Sequence, residues 1–222
     1  MIKKIYNILL KEYGSQGWWP LNEKYSTKLK LNDKEKFEVA LGAILTQSTS
    51  WTNVEKALEN LRKNRLLDIN NIRLVETKKL ALLIKSSWYN NQKARKIKEY
   101  IRFLDSKIDI NRENLLSVWG VGKETADSIL LYAYNKPFFV VDSYTKRIFS
   151  RLGFCKEDTS YDYLQELFHK NLPENSRIFN EYHALLVEHA KRYCKKKPLC
   201  SSCPLKLNCN FLKLSYETLI KQ

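Results

Sequence analysis

Leu115-Leu116-Ser117-Val118-Trp119-Gly120-Val121-Gly122-Lys123-Glu124-Thr125-Ala126 is the stretch on which the reading of the fold turns. Two glycines flank one hydrophobic residue, so the backbone can turn tightly and bring bare N–H groups close to a ligand. Downstream, Ala126, Ile129, Leu130 and Ala133 recur at helical spacing until Asn135-Lys136-Pro137 stops the pattern. The glycines therefore join two helices, and the second opens directly after them. Its N-terminal N–H groups and dipole can hold a phosphate, with Lys123 adding a charge at the same place. A bare Gly-x-Gly between helices is more often only a turn, so the surroundings must decide.

Outward from this hairpin the chain reads as helix. Only 6 glycines and 5 prolines interrupt 222 residues, and few alternating β-type runs occur. The spacing predicts helices over Ile2–Tyr13, 54–61, 80–84, 93–104 and 143–151, and a helix apolar almost all round over 37–45. The Lys/Asn-rich stretch 63–71 reads as a surface connection. An excess of 39 Lys+Arg over 24 Asp+Glu gives a net charge of +15. Such a surplus favours a polyanionic partner, because basic side chains displace the counterions of phosphates. A Lys-rich proteome would leave the same mark. No export signal opens the chain, and no stretch approaches the roughly 20 apolar residues that span a bilayer. The expected setting is therefore cytoplasmic and nucleoid-associated, without a membrane partner. Four of the 5 cysteines crowd into residues 194–209 as Cys-x5-Cys-x2-Cys-x5-Cys. In a reducing compartment that crowding suits metal better than disulfides. By spacing alone, a tetrahedral zinc and a 4Fe–4S cluster both remain open.

Leu116-x-x-x-Gly120-Val121-Gly122-Lys123-x-Thr125-Ala126 resembles the hairpin of the endonuclease III superfamily of DNA glycosylases. The resemblance implies an all-α, two-lobed helix-hairpin-helix fold with a C-terminal iron–sulfur cluster loop. A six-helix barrel lobe is expected over 33–141, with the hairpin at about 113–134. Residues 1–32 plus 142–212 would form the cluster-bearing lobe, and 213–222 a tail. Gly120, Val121, Gly122, Lys123 and Thr125 would grip the DNA backbone without reading sequence. The apolar Leu116 and Val121 would pack the hairpin. In this family an aspartate stands just before the next helix, and Asp142 takes that position here. Asp142 also suits a plain helix N-cap, and one carboxylate can do both jobs. Its chemical task would be to stabilise positive charge building on the sugar and to orient or deprotonate the attacking water.

One departure from the pattern matters. Members that also cut the strand place a nucleophilic lysine two residues after the second hairpin glycine, and here that slot holds Glu124. Lys123 lies one residue away, about a 100° turn on a helix. A carboxylate cannot form a Schiff base, so the expectation is a monofunctional glycosylase that leaves an abasic site. For the cysteines, the resemblance implies a 4Fe–4S cluster on Cys194, Cys200, Cys203 and Cys209, although the family's first gap typically holds six residues and this one holds five.

The strongest likeness is to the 3-methyladenine glycosylases of the superfamily, carried by Trp18-Trp19-Pro20, Gly42-Ala43-Ile44-Leu45-Thr46-Gln47, Asn91-Gln92-Lys93-Ala94 and Gly122-Lys123-Glu124. It implies a lesion pocket or wedge drawn from Gln47, Tyr89, Trp18, Trp19 and Phe37. Gln47 would fill the gap left by a flipped base, and Tyr89 falls near the intercalating wedge. The expected partner is double-stranded DNA containing damaged bases, met by a monomer. Alkylated purines, with hypoxanthine as an extension, are the expected substrates. A bifunctional glycosylase/lyase, a mismatch uracil or thymine glycosylase and a non-catalytic DNA clamp stay open as alternatives. His183 and His189 read as packing residues on one helix, and His169 carries no signal.

Overall fold

In the computed structural model, residues 1–21 and 30–211 are described, and the 213–222 tail lies outside them. Among the described residues the chain is helical and forms no β-strand. Contacts divide it into two units, Trp19–Lys136 and the pairing of Met1–Trp18 with the chain from Pro137 onward.

The unit Trp19–Lys136 is built around α2 (Asp33–Leu45), which is buried from Val39 through Leu45. A reciprocal cap starts it, Asn32 accepting from the Glu35 N–H while the Glu35 carboxylate accepts from the Asn32 N–H. The helices α3 (Trp51–Lys63), α4 (Ile69–Leu74), α5 (Thr77–Leu83) and α6 (Asn90–Asp105) follow, with α3 and α6 both packing on α2. The helix α4 begins inside the stretch read as a connection, because the Asp68 side chain caps it by accepting from the Asn70 N–H. The hairpin is α7 (Arg112–Ser117) and α8 (Lys123–Ser128), and α8 runs into a π-helical turn at Ile129–Ala133 that packs on α2.

The other unit joins α1 (Ile2–Tyr13) to α9 (Ser143–Leu152), α10 (Tyr161–Asn171) and α11 (Ser176–Arg192). Here α11 packs on both α1 and α9. Its core is aromatic. Phe139 stacks on Phe168 at 3.6 Å between centroids, with Phe179 and Tyr182 edge-on to Phe139. No helix among the described residues is long and apolar enough to cross a membrane.

Candidate functional site

The hairpin turn takes its shape from Gly120, whose φ of +83° is left-handed backbone that favours glycine. A Cβ there would also meet the Lys96 side chain at 2.5 Å. Gly122 is different, with an extended φ of −91° and nothing within 4 Å of where a Cβ would stand. That open face, with Lys123 and Glu124 exposed beside it, is where an anion can reach the start of α8. Val121 packs inward as expected, but the fully buried leucine of α7 is Leu115, with Leu116 only half-buried. Thr125 is turned inward, and its hydroxyl accepts from Gln47 Nε2 at 2.9 Å. Gln47 Nε2 also donates to the Gly120 carbonyl at 3.1 Å, and its Oε1 accepts from Lys96 Nζ.

Asp142 stands at the N-cap of α9. Its two oxygens divide the work. Oδ1 accepts from the Thr145 N–H at 2.7 Å and the Thr145 hydroxyl at 2.8 Å, while Oδ2 faces His183 Nε2 at 3.6 Å. Both side chains are nearly enclosed, Asp142 at 13% and His183 at 7% exposure. Burial pushes the Asp142 carboxyl up, but His183 and the two bonds from Thr145 together outweigh it, so its pKa lies below the ordinary carboxylate value. At 3.6 Å the approach of His183 is longer than an ordinary hydrogen bond.

Two other elements fix this carboxylate in place. The extended run before it is held by one face of α10: His169 Nε2 accepts from the Phe139 N–H at 3.1 Å, Gln165 Nε2 donates to the Phe139 carbonyl at 2.8 Å, and the Tyr161 hydroxyl accepts from the Val141 N–H at 3.5 Å. The spacing i, i+4, i+8 lets one helix satisfy backbone groups that a neighbouring strand would otherwise serve. The α11 helix holds the loop 15–18. Glu181 accepts from the Ser15 hydroxyl and the Gln16 N–H, and Asn180 donates to the Trp18 carbonyl. This sets Trp18, half-buried, edge-on to the His183 ring at 5.7 Å.

The remaining aromatic candidates separate. Trp19 is 9% exposed, packed against Trp51 and Tyr132. Phe37 is buried in α2. Tyr89 is 62% exposed, and its neighbour Trp88 is 63% exposed. His183 and His169 are functional-looking residues that sequence reasoning passed over. No local pattern marks either, because each acquires its partner only through folding.

The four cysteines of 194–209 are unpaired and line one apolar pocket with Ile148, Arg151, His189, Tyr193 and Leu205. Arg151 Nη1 donates to Cys194 Sγ at 3.3 Å and to the Lys195 carbonyl at 2.7 Å, and Arg147 Nε donates to the Cys194 carbonyl at 2.8 Å. Burial, and then the neighbouring thiols, push Cys203 up to about 11, and Cys200 shifts the same way. Among the described residues no three His, Cys, Asp or Glu side chains are gathered closely enough to ligate a single ion. Cys155 lies apart from this pocket, in a different surface depression with Thr159 and Tyr163.

Helical throughout its described residues, with two short helices joined by a glycine hairpin, the chain has the architecture of the helix-hairpin-helix class. Residues 41–174 match the family model described as HhH-GPD superfamily base excision DNA repair protein. An inferred DNA repair glycosylase of Methanocaldococcus jannaschii is 48% identical over 94% of this chain and 96% of its own. Endonuclease III of Thermotoga maritima is 33% identical over 82% of this chain and 85% of its own. Among solved structures, the Helicobacter pylori 3-methyladenine DNA glycosylase MagIII bound to 1,N6-ethenoadenine superposes with a TM-score of 0.69 at 31% identity, covering 86% of this chain and 95% of that one. An endonuclease III–DNA complex superposes with a TM-score of 0.81 over 97% of both chains, a likeness of fold at 24% identity. The chain belongs to the HhH-GPD superfamily, the endonuclease III superfamily of base excision repair DNA glycosylases.

Proposed function

We propose that this glycosylase is monofunctional and hydrolyses the N-glycosidic bond of alkylated purines such as 3-methyladenine, with hypoxanthine as an extension, leaving an abasic site. The observation that carries the chemistry is the Asp142 carboxylate, nearly enclosed yet kept ionised by His183 and Thr145. A fixed negative charge of this kind stabilises the cation that develops on the deoxyribose, and its Oδ2 can orient and deprotonate the water that attacks. A purine nucleoside methylated at N3 or N7, such as 3-methyladenine, is already cationic and leaves without a general acid. Gly42 supports this assignment, because a Cβ at that position would meet Trp19 Cζ2 at 2.8 Å. The site where adenine glycosylases of the superfamily carry a glutamate is thus filled by a tryptophan ring. MagIII, with its alkylated-purine name and bound ethenoadenine, favours the same substrate class.

The monofunctional reading rests on Glu124, exposed on α8 in the slot of the nucleophilic lysine. The likeness to Thermotoga maritima endonuclease III favours a second reading, a glycosylase/lyase acting on pyrimidines. Release from duplexes holding 3-methyladenine, 7-methylguanine, hypoxanthine, uracil or thymine glycol separates the two. Strand breaks are expected only after alkali, and a borohydride-trapped protein–DNA adduct would overturn the proposal.

The donor set fits a 4Fe–4S cluster on Cys194, Cys200, Cys203 and Cys209. All four thiols line one pocket, and together they supply the four thiolate ligands such a cluster would take. When bound, the cluster supplies the positive charge that lets four adjacent thiols ionise together. Beside it, Lys146, Arg147, Arg151 and Lys196, with Glu157 as an acidic neighbour, line a net basic surface depression suited to duplex phosphates. The expected partner remains double-stranded DNA, engaged by a monomer in the cytoplasm.

A further inference from the structure

The backbone just before α6 is unusual. Trp88 has φ 63° and ψ 163°, and Tyr89 has φ 46° and ψ 33°. The first region is essentially reserved for glycine, and both residues are bulky aromatics. Such a turn persists only where its surroundings over-determine it, and here both side chains are still mostly exposed. One buried cation stands behind the turn. Lys93 is 2% exposed, and its Nζ donates to the Ser87 carbonyl at 2.5 Å and the Leu45 carbonyl at 2.8 Å. Ser87 is the residue before the strained pair. Leu45 is the last residue of α2, where carbonyls lack helical partners and a cation complements the dipole.

Two further cations of α6 reach the hairpin. The Lys96 stem lies across Gly120, and its Nζ donates to Gln47 Oε1. Arg95 stacks on the Trp119 ring at 4.0 Å. Both ends of the Gln47 amide are therefore engaged, by Lys96, Gly120 and Thr125.

We propose that Lys93 is a positioning residue that latches the Trp88–Tyr89 turn to the end of α2, and that α6 thereby presents this aromatic pair as the element inserted into the duplex while Gln47 stays tied to the hairpin. The proposal rests on the reading of the chain as a base-flipping enzyme with a wedge at Tyr89. A rigid turn inserts without first having to order itself, so the latch acts on base displacement rather than on overall affinity.

The test uses a duplex with a tetrahydrofuran abasic analogue facing 2-aminopurine, which needs no base release and no knowledge of the lesion. Saturating wild-type protein is expected to raise 2-aminopurine fluorescence several-fold, and Trp88→Ala and Tyr89→Ala to lose that rise. If the wild-type protein gives no rise, the wedge reading fails, and the latch with it. Lys93→Met should cut the rise at saturation about fivefold, with affinity for undamaged duplex within about twofold of wild type. Lys93→Gln, whose amide can still reach one carbonyl, keeps the fold if the methionine variant does not, and should cut the rise about twofold. A wild-type rise in either folded variant overturns the latch even where Tyr89→Ala has lost it.

Discussion

At the scale of single residues, the two oxygens of Asp142 are placed differently. Oδ1 caps α9, and Oδ2 faces His183, where the proposed function puts the chemistry. Asparagine caps as well as aspartate but carries no charge. Asp142→Asn should therefore slow base release by about 10²–10³-fold while changing stability at neutral pH by no more than about 1 kcal/mol. Single-turnover release and urea unfolding on the same variant check both halves. The pH behaviour follows from the lowered pKa. A carboxyl whose folded pKa lies below its unfolded value of about 3.9 contributes stability that is complete above that value and is lost as pH falls through the folded one. Asp142 should thus remain ionised through the working range, and its share of acid destabilisation should be confined below about pH 4. Removing the ring with His183→Ala takes away a contribution that lowers the Asp142 pKa, so that pKa rises and the acid limb of the kcat profile should move to higher pH. An acid limb that stays put would show that His183 only packs. The N-cap position of Asp142 was legible in the sequence because it stands directly before a helical pattern. His183 was not, since its partner stands 41 positions earlier in the chain and no periodicity links the two.

Among the elements, the hairpin was the most legible and its support the least. Gly120-Val121-Gly122 announces a turn locally, through residues that permit it. The lock on that turn is longer in range: Arg112, at the start of α7, donates Nε to Asp127 Oδ1 at 2.7 Å and Nη2 to Oδ2 at 3.1 Å near the end of α8. Asp127 is completely buried. Taking one partner from a buried ion pair leaves the other charge uncompensated, so Asp127→Asn should cost about 3–5 kcal/mol in urea unfolding. An Arg112→Met, Asp127→Leu double variant should recover much of that, and equal loss in both would contradict the lock. The α10 face allows a smaller test. Gln165→Leu leaves the Phe139 carbonyl without its donor, for a cost of about 1–3 kcal/mol and a slower glycosylase, since that carbonyl lies on the run leading into Asp142. Two elements escaped the sequence for physical reasons. The spacing of Ile129, Leu130 and Ala133 fits an α-helix and a π-turn equally well, and packing on α2 decides between them. The six residues of α4 are too few to be stable alone, so only the Asp68 cap and the burial of Ile72 make them a helix.

For the whole molecule, composition and cysteine spacing narrowed the class, while the ligand set and the use of the charge had to be argued from geometry. If the four cysteines hold iron and sulfide, the anaerobically purified protein absorbs near about 400 nm, and Cys200→Ala loses both that band and bound iron; a colourless, zinc-containing protein would overturn the assignment. The net charge of +15 has two explanations with different consequences. A proteome-wide lysine bias would spread charge without regard to DNA, and few phosphates would be neutralised on binding. A built phosphate surface concentrates it at Lys123 and at the depression lined by Lys146, Arg147, Arg151 and Lys196. Neutralising about five phosphates gives a slope near −4.5 for log K against log salt, so affinity for undamaged duplex should fall by several hundred-fold between about 50 and 200 mM salt. Lys123→Ala should make that slope shallower by about one unit, because a single phosphate contact disappears while the surrounding charge remains. Replacing the exposed Lys78, which stands in neither place, should lower affinity slightly and leave the slope unchanged. Equal effects from the two substitutions would mean that the charge acts only through its sum, and the proposal that the hairpin clamps phosphate would fail.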